Sequence, residues 1–209
     1  MTLQGDRFAM EDAYFFDERR LMELGHTIPF NNADETFSAA LYDILQSSCN
    51  QVSNIMRILC EHFELDVEGN NFPSYYNALN SDHVLEKQAV DCAFKVGKVY
   101  SPFVLRDGED APFWWTKYNA TKHNLPEGYV EGNLINTLHA VTASYALNCM
   151  MSYADMTPRP SNFFNNDAWY IQESLAMRRK EFVRTGLENR PFSKNFHCLT
   201  SYLGEGAPV

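Results

Sequence analysis

From Phe37 to Phe63, apolar residues recur at 37, 41, 44, 45, 49, 52, 55, 56, 59 and 63. That three- and four-residue spacing marks one face of a helix sustained over about seven turns. The opposite face carries Asp43, Gln46, Ser47, Asn50, Gln51 and Asn54. Asn32 followed by Glu35 has capping-box spacing and places the expected start, and the turn residues of DVEGNN place the end. A second long helix, from about Asn133 to Tyr153, is apolar nearly all round, the pattern of a helix buried among neighbours.

Between them the pattern is more broken. Residues 72–98 predict one or two shorter helices, with Pro73 near a start and Gly97 near a stop. VYSPFVL reads as an extended crossing segment rather than a sheet strand, and RDGEDAP as a turn. Pro112 then opens a short helix that NLPEG closes. The first thirty residues predict a short helix ended by Gly25 and Pro29. Beyond the second long helix, MTPRPSNFFNN reads as a hinge-like linker and DAWYIQESLAMRRKEF as a last amphipathic helix.

Long helices with irregular links define an all-α fold, a bundle of long antiparallel helices. The expected organisation is an N-terminal segment with a short helix (1–33), the helical bundle (34–156), and a C-terminal helical extension packed on it (157–209). No repeat or low-complexity tract interrupts this.

Composition narrows the function classes. Hydrophobic residues make up 45% and charged ones 21%, as in a globular protein, and the 14% aromatic share calls for large ring burials. A net charge of −10 argues against a broad, nonspecific nucleic-acid surface. Residues 157–209 differ, with seven basic and five acidic groups, and Arg178, Arg179, Lys180 and Arg184 read as a solvated helix face or C-terminal cap. No run approaches the roughly 18 apolar residues of a membrane span, and no signal-peptide pattern opens the chain. Cys49, Cys60, Cys92, Cys149 and Cys198 are odd in number and form no CxxC pair, so they read as reduced thiols in a cytoplasmic protein.

The densest chemistry lies in PFWWTKYNATKH, residues 112–123. On a helix, Trp115, Asn119 and His123 share one face, and Trp114, Tyr118 and Lys122 form the adjacent stripe. Asn119 is then placed to orient the His123 ring as a proton acceptor, with positive charge from Lys122 and Lys117. Trp115 and Tyr118 would offer stacking faces. Such a constellation suits a phosphodiester. The same residues also suit an aromatic plug, with His123 capping the helix C-terminus. Both readings stay open at this level.

The pattern W-W-x-x-Y-N-x-x-K-H, following Ser101-Pro102-Phe103 and preceding a long apolar helix, resembles HEPN-like bacterial and archaeal proteins. Those are all-helical and commonly dimeric, and many are metal-independent ribonucleases of toxin–antitoxin and antiviral systems. Their motif is an arginine, a polar residue, three others and a histidine. Asn119 and His123 match the polar and histidine positions, and Tyr118 stands at the arginine position. The resemblance implies His123, Asn119 and Lys122 as catalytic residues, Trp115, Tyr118 and Lys117 as substrate contacts, and RNA as substrate. It also implies a homodimer or other protein partner, and neither metal nor cofactor. The alternative is a non-catalytic helical protein in which this segment is a packing or dimer-interface motif.

Other constellations are weaker. Arg57 to His62 has arginine–four–histidine spacing but no polar neighbour to the arginine, and Arg190 to His197 begins with Pro191. Glu23-Leu-Gly-His26 is a single ExxH where a di-iron bundle needs two. His83 with Glu86, and His139 on its apolar helix, read as satisfied structural groups. No P-loop, GxGxxG, HExxH or GxSxG occurs.

Overall fold

The structure is a computed structural model that describes residues 3–80, 83–92, 95, 98–123, 128–156 and 196–198. Among these residues five α-helices carry the fold: α1 (Leu3–Leu24), α2 (Ala39–His62), α3 (Phe72–Leu79), α4 (Phe113–His123) and α5 (Leu134–Met156). The fold is mostly helical, as expected. The predicted linker and the amphipathic segment 167–182 lie outside the described residues, as does the basic cluster.

The centre is α2 packed along α5, with α1 laid across both. Thr137 of α5 donates to the Leu41 carbonyl and Ser144 to Gln51, so position rises together on the two helices and they run parallel. Asp17 meets Ser48 and Gln51 while Arg20 meets Asp43, which makes α1 antiparallel to α2. The antiparallel expectation therefore holds for α1 and fails for the α2–α5 pair. The reason is the long excursion between them, through α3, two short strands and α4, which returns the chain to its starting end.

The start of α2 also differs from expectation. Ser38, in extended conformation, caps the helix by accepting from the Leu41 amide at 3.2 Å. Residues 33–37 are engaged elsewhere. The amides of Leu134 and Ile135, orphaned at the start of α5, donate to the carbonyls of Thr36 and Asp34 at 2.9 and 3.1 Å. Asn133 adds a side-chain cap on the Asn136 amide at 3.1 Å. One loop thus satisfies the beginning of a helix distant in sequence. At the other end of α2, Glu64 at φ 55 turns the chain, and the Leu65 amide closes back on the Cys60 carbonyl.

Among the described residues, the expected helix over 72–98 is confined to α3, capped by Asn71 on Ser74 at 3.0 Å with Pro73 in its first turn, and Gly97 lies outside them. Beyond α3, β1 (Val90–Cys92) and β2 (Val99–Tyr100) join β3 (Phe196–Cys198) in a small antiparallel sheet ordered β2-β1-β3. Val90 pairs with Tyr100 and with Cys198. VYSPFVL therefore does begin with a paired strand, contrary to the reading of an unpaired crossing. β-branched residues at 90 and 99 fit a pleated surface that two or three residues are too few to announce by alternation.

The N-terminal helix is long, 22 residues, and ends before Gly25 as expected. Its inward face is unusual. Arg7, Asp17 and Glu18 are buried with Tyr14 and Leu21, while Phe16 and Met22 stand exposed.

Candidate functional site

Helix α4 forms where Pro112 predicts it, and the Pro112 carbonyl accepts from the Trp115 and Thr116 amides at 2.9 and 3.2 Å. Its aromatic residues face inward. Trp114 is 0% exposed, Trp115 6% and Tyr118 2%. The Trp114 indole donates to the Pro102 carbonyl at 2.6 Å, and the Tyr76 hydroxyl to the Phe103 carbonyl at 2.7 Å. The Ser101-Pro102-Phe103 stretch is thereby tied to α3 and α4. Trp115 stacks on Phe72 with ring centroids 4.0 Å apart, and meets Tyr118 edge-on at 5.3 Å. Each ring contributes about 3 kcal/mol of burial and joins α3, α4 and the crossing segment.

Neither Trp115 nor Tyr118 has an open face on which a base could stack in this arrangement. Tyr118 is further committed: its hydroxyl donates to Oδ1 of Asn50 on α2 at 2.8 Å. Burial, with smaller contributions from Cys49 and Tyr42, pushes its phenol well above the ordinary range, so it stays protonated and a donor.

The polar residues of the segment are placed differently. Lys117 is exposed and its ammonium sits 2.8 Å from Glu131, which neutralises it. Asn119 is half-buried. Lys122 is exposed, and its Nζ lies over the Tyr118 ring at 4.2 Å and over Trp115 at 5.7 Å. It also lies close enough to Cys49 to offset in part the rise that burial imposes on that thiol. His123 is the last residue of α4, and its side chain lies outside the described residues. The structure thus brings Asn119, Lys122 and the His123 backbone to one end of α4. It removes Trp114, Trp115 and Tyr118 to the core.

Asn50 carries no mark of a site residue in the sequence. Its position on the polar face of α2 reads as simple solvation, and only the fold brings it to Tyr118.

Of the remaining constellations, Arg190 lies outside the described residues, and Arg57, His83 and His139 have structural partners. Arg57 pairs with Glu61 at 2.6 Å, and His83 with Glu86 at 2.8 Å. His139 packs edge-on to Tyr100 and Phe113. Among the described residues, no group of three or more His, Cys, Asp or Glu side chains is placed to hold a metal. Cys49 and Cys60 are free thiols, and burial pushes the Cys60 thiol up to about 12. No helix among the described residues is long and apolar enough to cross a membrane.

Fold and site define a helical protein with an aromatic plug under a small polar surface at the end of α4. Compared with known protein families, curated proteins and solved structures, the chain shows no match.

Proposed function

We propose that the chain is an RNA-directed helical protein of HEPN-like character that meets a phosphodiester at the end of α4. Asn119, Lys122 and His123 are its contacts. His123 accepts the ribose 2′-hydroxyl proton as that oxygen attacks phosphorus, and the 5′-oxygen leaves with a proton taken from water. The products are a 2′,3′-cyclic phosphate and a 5′-hydroxyl end, formed without metal. Lys122 offsets the negative charge that develops on the phosphate.

The observation that supports this reading is the setting of Lys122. Arg7, Arg20, Arg57, Lys95 and Lys117 each have a carboxylate within ion-pair distance. Lys122 instead rests on two buried rings, as Arg106 does on Phe113, and among the described residues it has no carboxylate partner. In a chain of net charge −10, such an ammonium is available to an outside anion.

Incubation of the purified chain with single-stranded RNA in EDTA tests it. Wild type is expected to cleave, and a folded His123→Ala protein is expected not to. Absence of wild-type cleavage, or unfolding of His123→Ala, would support a second reading: a non-catalytic helical protein in which residues 112–123 serve packing or a dimer interface. The burial of Trp114, Trp115 and Tyr118 favours that reading for those three residues.

A further inference from the structure

The surface around Lys122 is set apart by what it lacks. Residues 44–56 of α2 and 113–123 of α4 contain no aspartate or glutamate, although the chain has 27 acidic groups in 209 residues. At that frequency the two stretches together would carry about three. On α2, Gln46, Asn50 and Asn54 recur every fourth residue and so share a face. Amides on such a face can donate to a phosphate or ribose without repelling it.

Asn50 is the member of that row tied to α4. It is exposed, and its Oδ1 accepts from the Tyr118 hydroxyl at 2.8 Å. With Oδ1 engaged, its Nδ2 remains a donor at the surface. The same tyrosine ring lies beneath the Lys122 ammonium. One buried ring therefore holds two donors from two helices, one charged and one neutral.

We infer that Asn50 is a second RNA contact beside Lys122, donating from Nδ2 to a backbone phosphate oxygen, and that Tyr118 is the residue that positions both. This rests on the RNA-directed reading above. A lysine is a point charge with little directional control, and an arginine fork supplies two fixed donors. The residue at the arginine position of the resembling motif is Tyr118. It makes no phosphate contact itself: its hydroxyl holds Asn50 and its ring underlies the Lys122 ammonium.

Fluorescence anisotropy with a labelled, 2′-O-methylated single-stranded RNA tests this on the full chain, since that RNA cannot be cleaved by 2′-hydroxyl attack. Asn50→Ala is expected to weaken binding about threefold with an unchanged salt slope, and Asn50→Asp about tenfold or more. Lys122→Ala should reduce the salt slope by about one. Tyr118→Phe combined with Asn50→Ala should weaken binding no more than Asn50→Ala alone, as for two members of one unit. Asn31→Asp, an exposed residue of the loop before α2, controls for added charge and should bind nearly as wild type. If Asn50 variants bind as wild type while Lys122→Ala is weakened, the inference is overturned and the RNA-directed reading stands. If wild type does not bind, or Lys122→Ala changes nothing, both fall.

Discussion

The side-chain amide of Gln51 on α2 donates to the buried carboxylate of Asp17 on α1 at 2.7 Å, while its oxygen accepts from Ser144 on α5 at 2.9 Å. One glutamine thus links the three helices that form the centre of the fold. Ser48 also donates to Asp17, at 3.1 Å. Gln51→Ala would leave a buried carboxylate and a buried hydroxyl short of a partner. It is expected to cost about 2–3 kcal/mol in urea unfolding.

Asp17 itself behaves in the opposite sense. Burial raises its pKa above 3.8, outweighing the lowering by Ser47, Ser48, Arg20 and Gln51. A raised carboxylate contributes stability that is complete below the unfolded value and is lost as pH rises through the folded one. At neutral pH the ionised group is therefore a net cost. Asp17→Asn, which keeps an acceptor for Ser48 and Gln51, should leave stability at pH 7 within about 1 kcal/mol of wild type, or raise it. A loss above about 2 kcal/mol at pH 7 would mean that the junction depends on the charge.

His139 provides a separate pH dependence. Burial, then Lys98 and Arg106, lowers its pKa from 6.5 to about 4 against the opposing influence of Asp34. Its ring lies edge-on to Phe113 at 4.7 Å and to Tyr100 at 4.9 Å. A depressed pKa means full stability above the unfolded value, lost as pH falls from 6.5 toward 4. The loss at pH 5 is expected to be about 2 kcal/mol. Thermal unfolding at pH 7 and pH 5 should reveal it in wild type, and His139→Leu should flatten the difference. Equal pH sensitivity in the two proteins would assign the effect to other groups.

Plug and surface in α4 should separate by stability. Trp115→Ala removes a ring stacked on Phe72 and is expected to cost about 3–5 kcal/mol. Lys122→Ala removes an exposed side chain with only cation–π contacts and should cost less than about 1 kcal/mol. Similar losses in thermal unfolding would make Lys122 a part of the plug and remove the basis for reading it as a free cation.

The long helices are legible in the sequence because α2 has a sustained apolar stripe and α5 is apolar all round. Pro112 and Pro73 place their helices for a local steric reason. Features that depend on distant partners are not legible. Ser38 rather than Asn32 caps α2 because residues 33–37 are drawn to the start of α5. The strands are two or three residues long, and β1 pairs with β3 across more than a hundred residues of chain. In the site, the helical spacing of residues 112–123 is right, but spacing cannot say which stripe faces the core. Trp115 and Tyr118 read as available for stacking and are buried, and Asn50 gains its role only by meeting Tyr118.

The return from α4 to α5 depends on a close approach that the sequence does not flag. A Cβ on Gly132 would stand 2.6 Å from the Cβ of Tyr42 and 2.8 Å from its Cα. Gly132 has φ −73, which any residue adopts, so the need for glycine here is space rather than backbone freedom. The Gly132 carbonyl also accepts from the Ser38 amide at the cap of α2. Tyr42 cannot yield through a flexible side-chain end, since backbone and Cβ atoms are the obstacle. Gly132→Ala must therefore push the chain off α2, loosening the Ser38 cap and the loop that satisfies the start of α5. A loss of about 1–3 kcal/mol is expected in thermal or urea unfolding. Gly108→Ala provides the contrast. That position has open space around it but φ 80, so its smaller cost, about 1 kcal/mol, would come from the backbone alone. If Gly132→Ala is as stable as wild type, the loop does not pack closely on Tyr42.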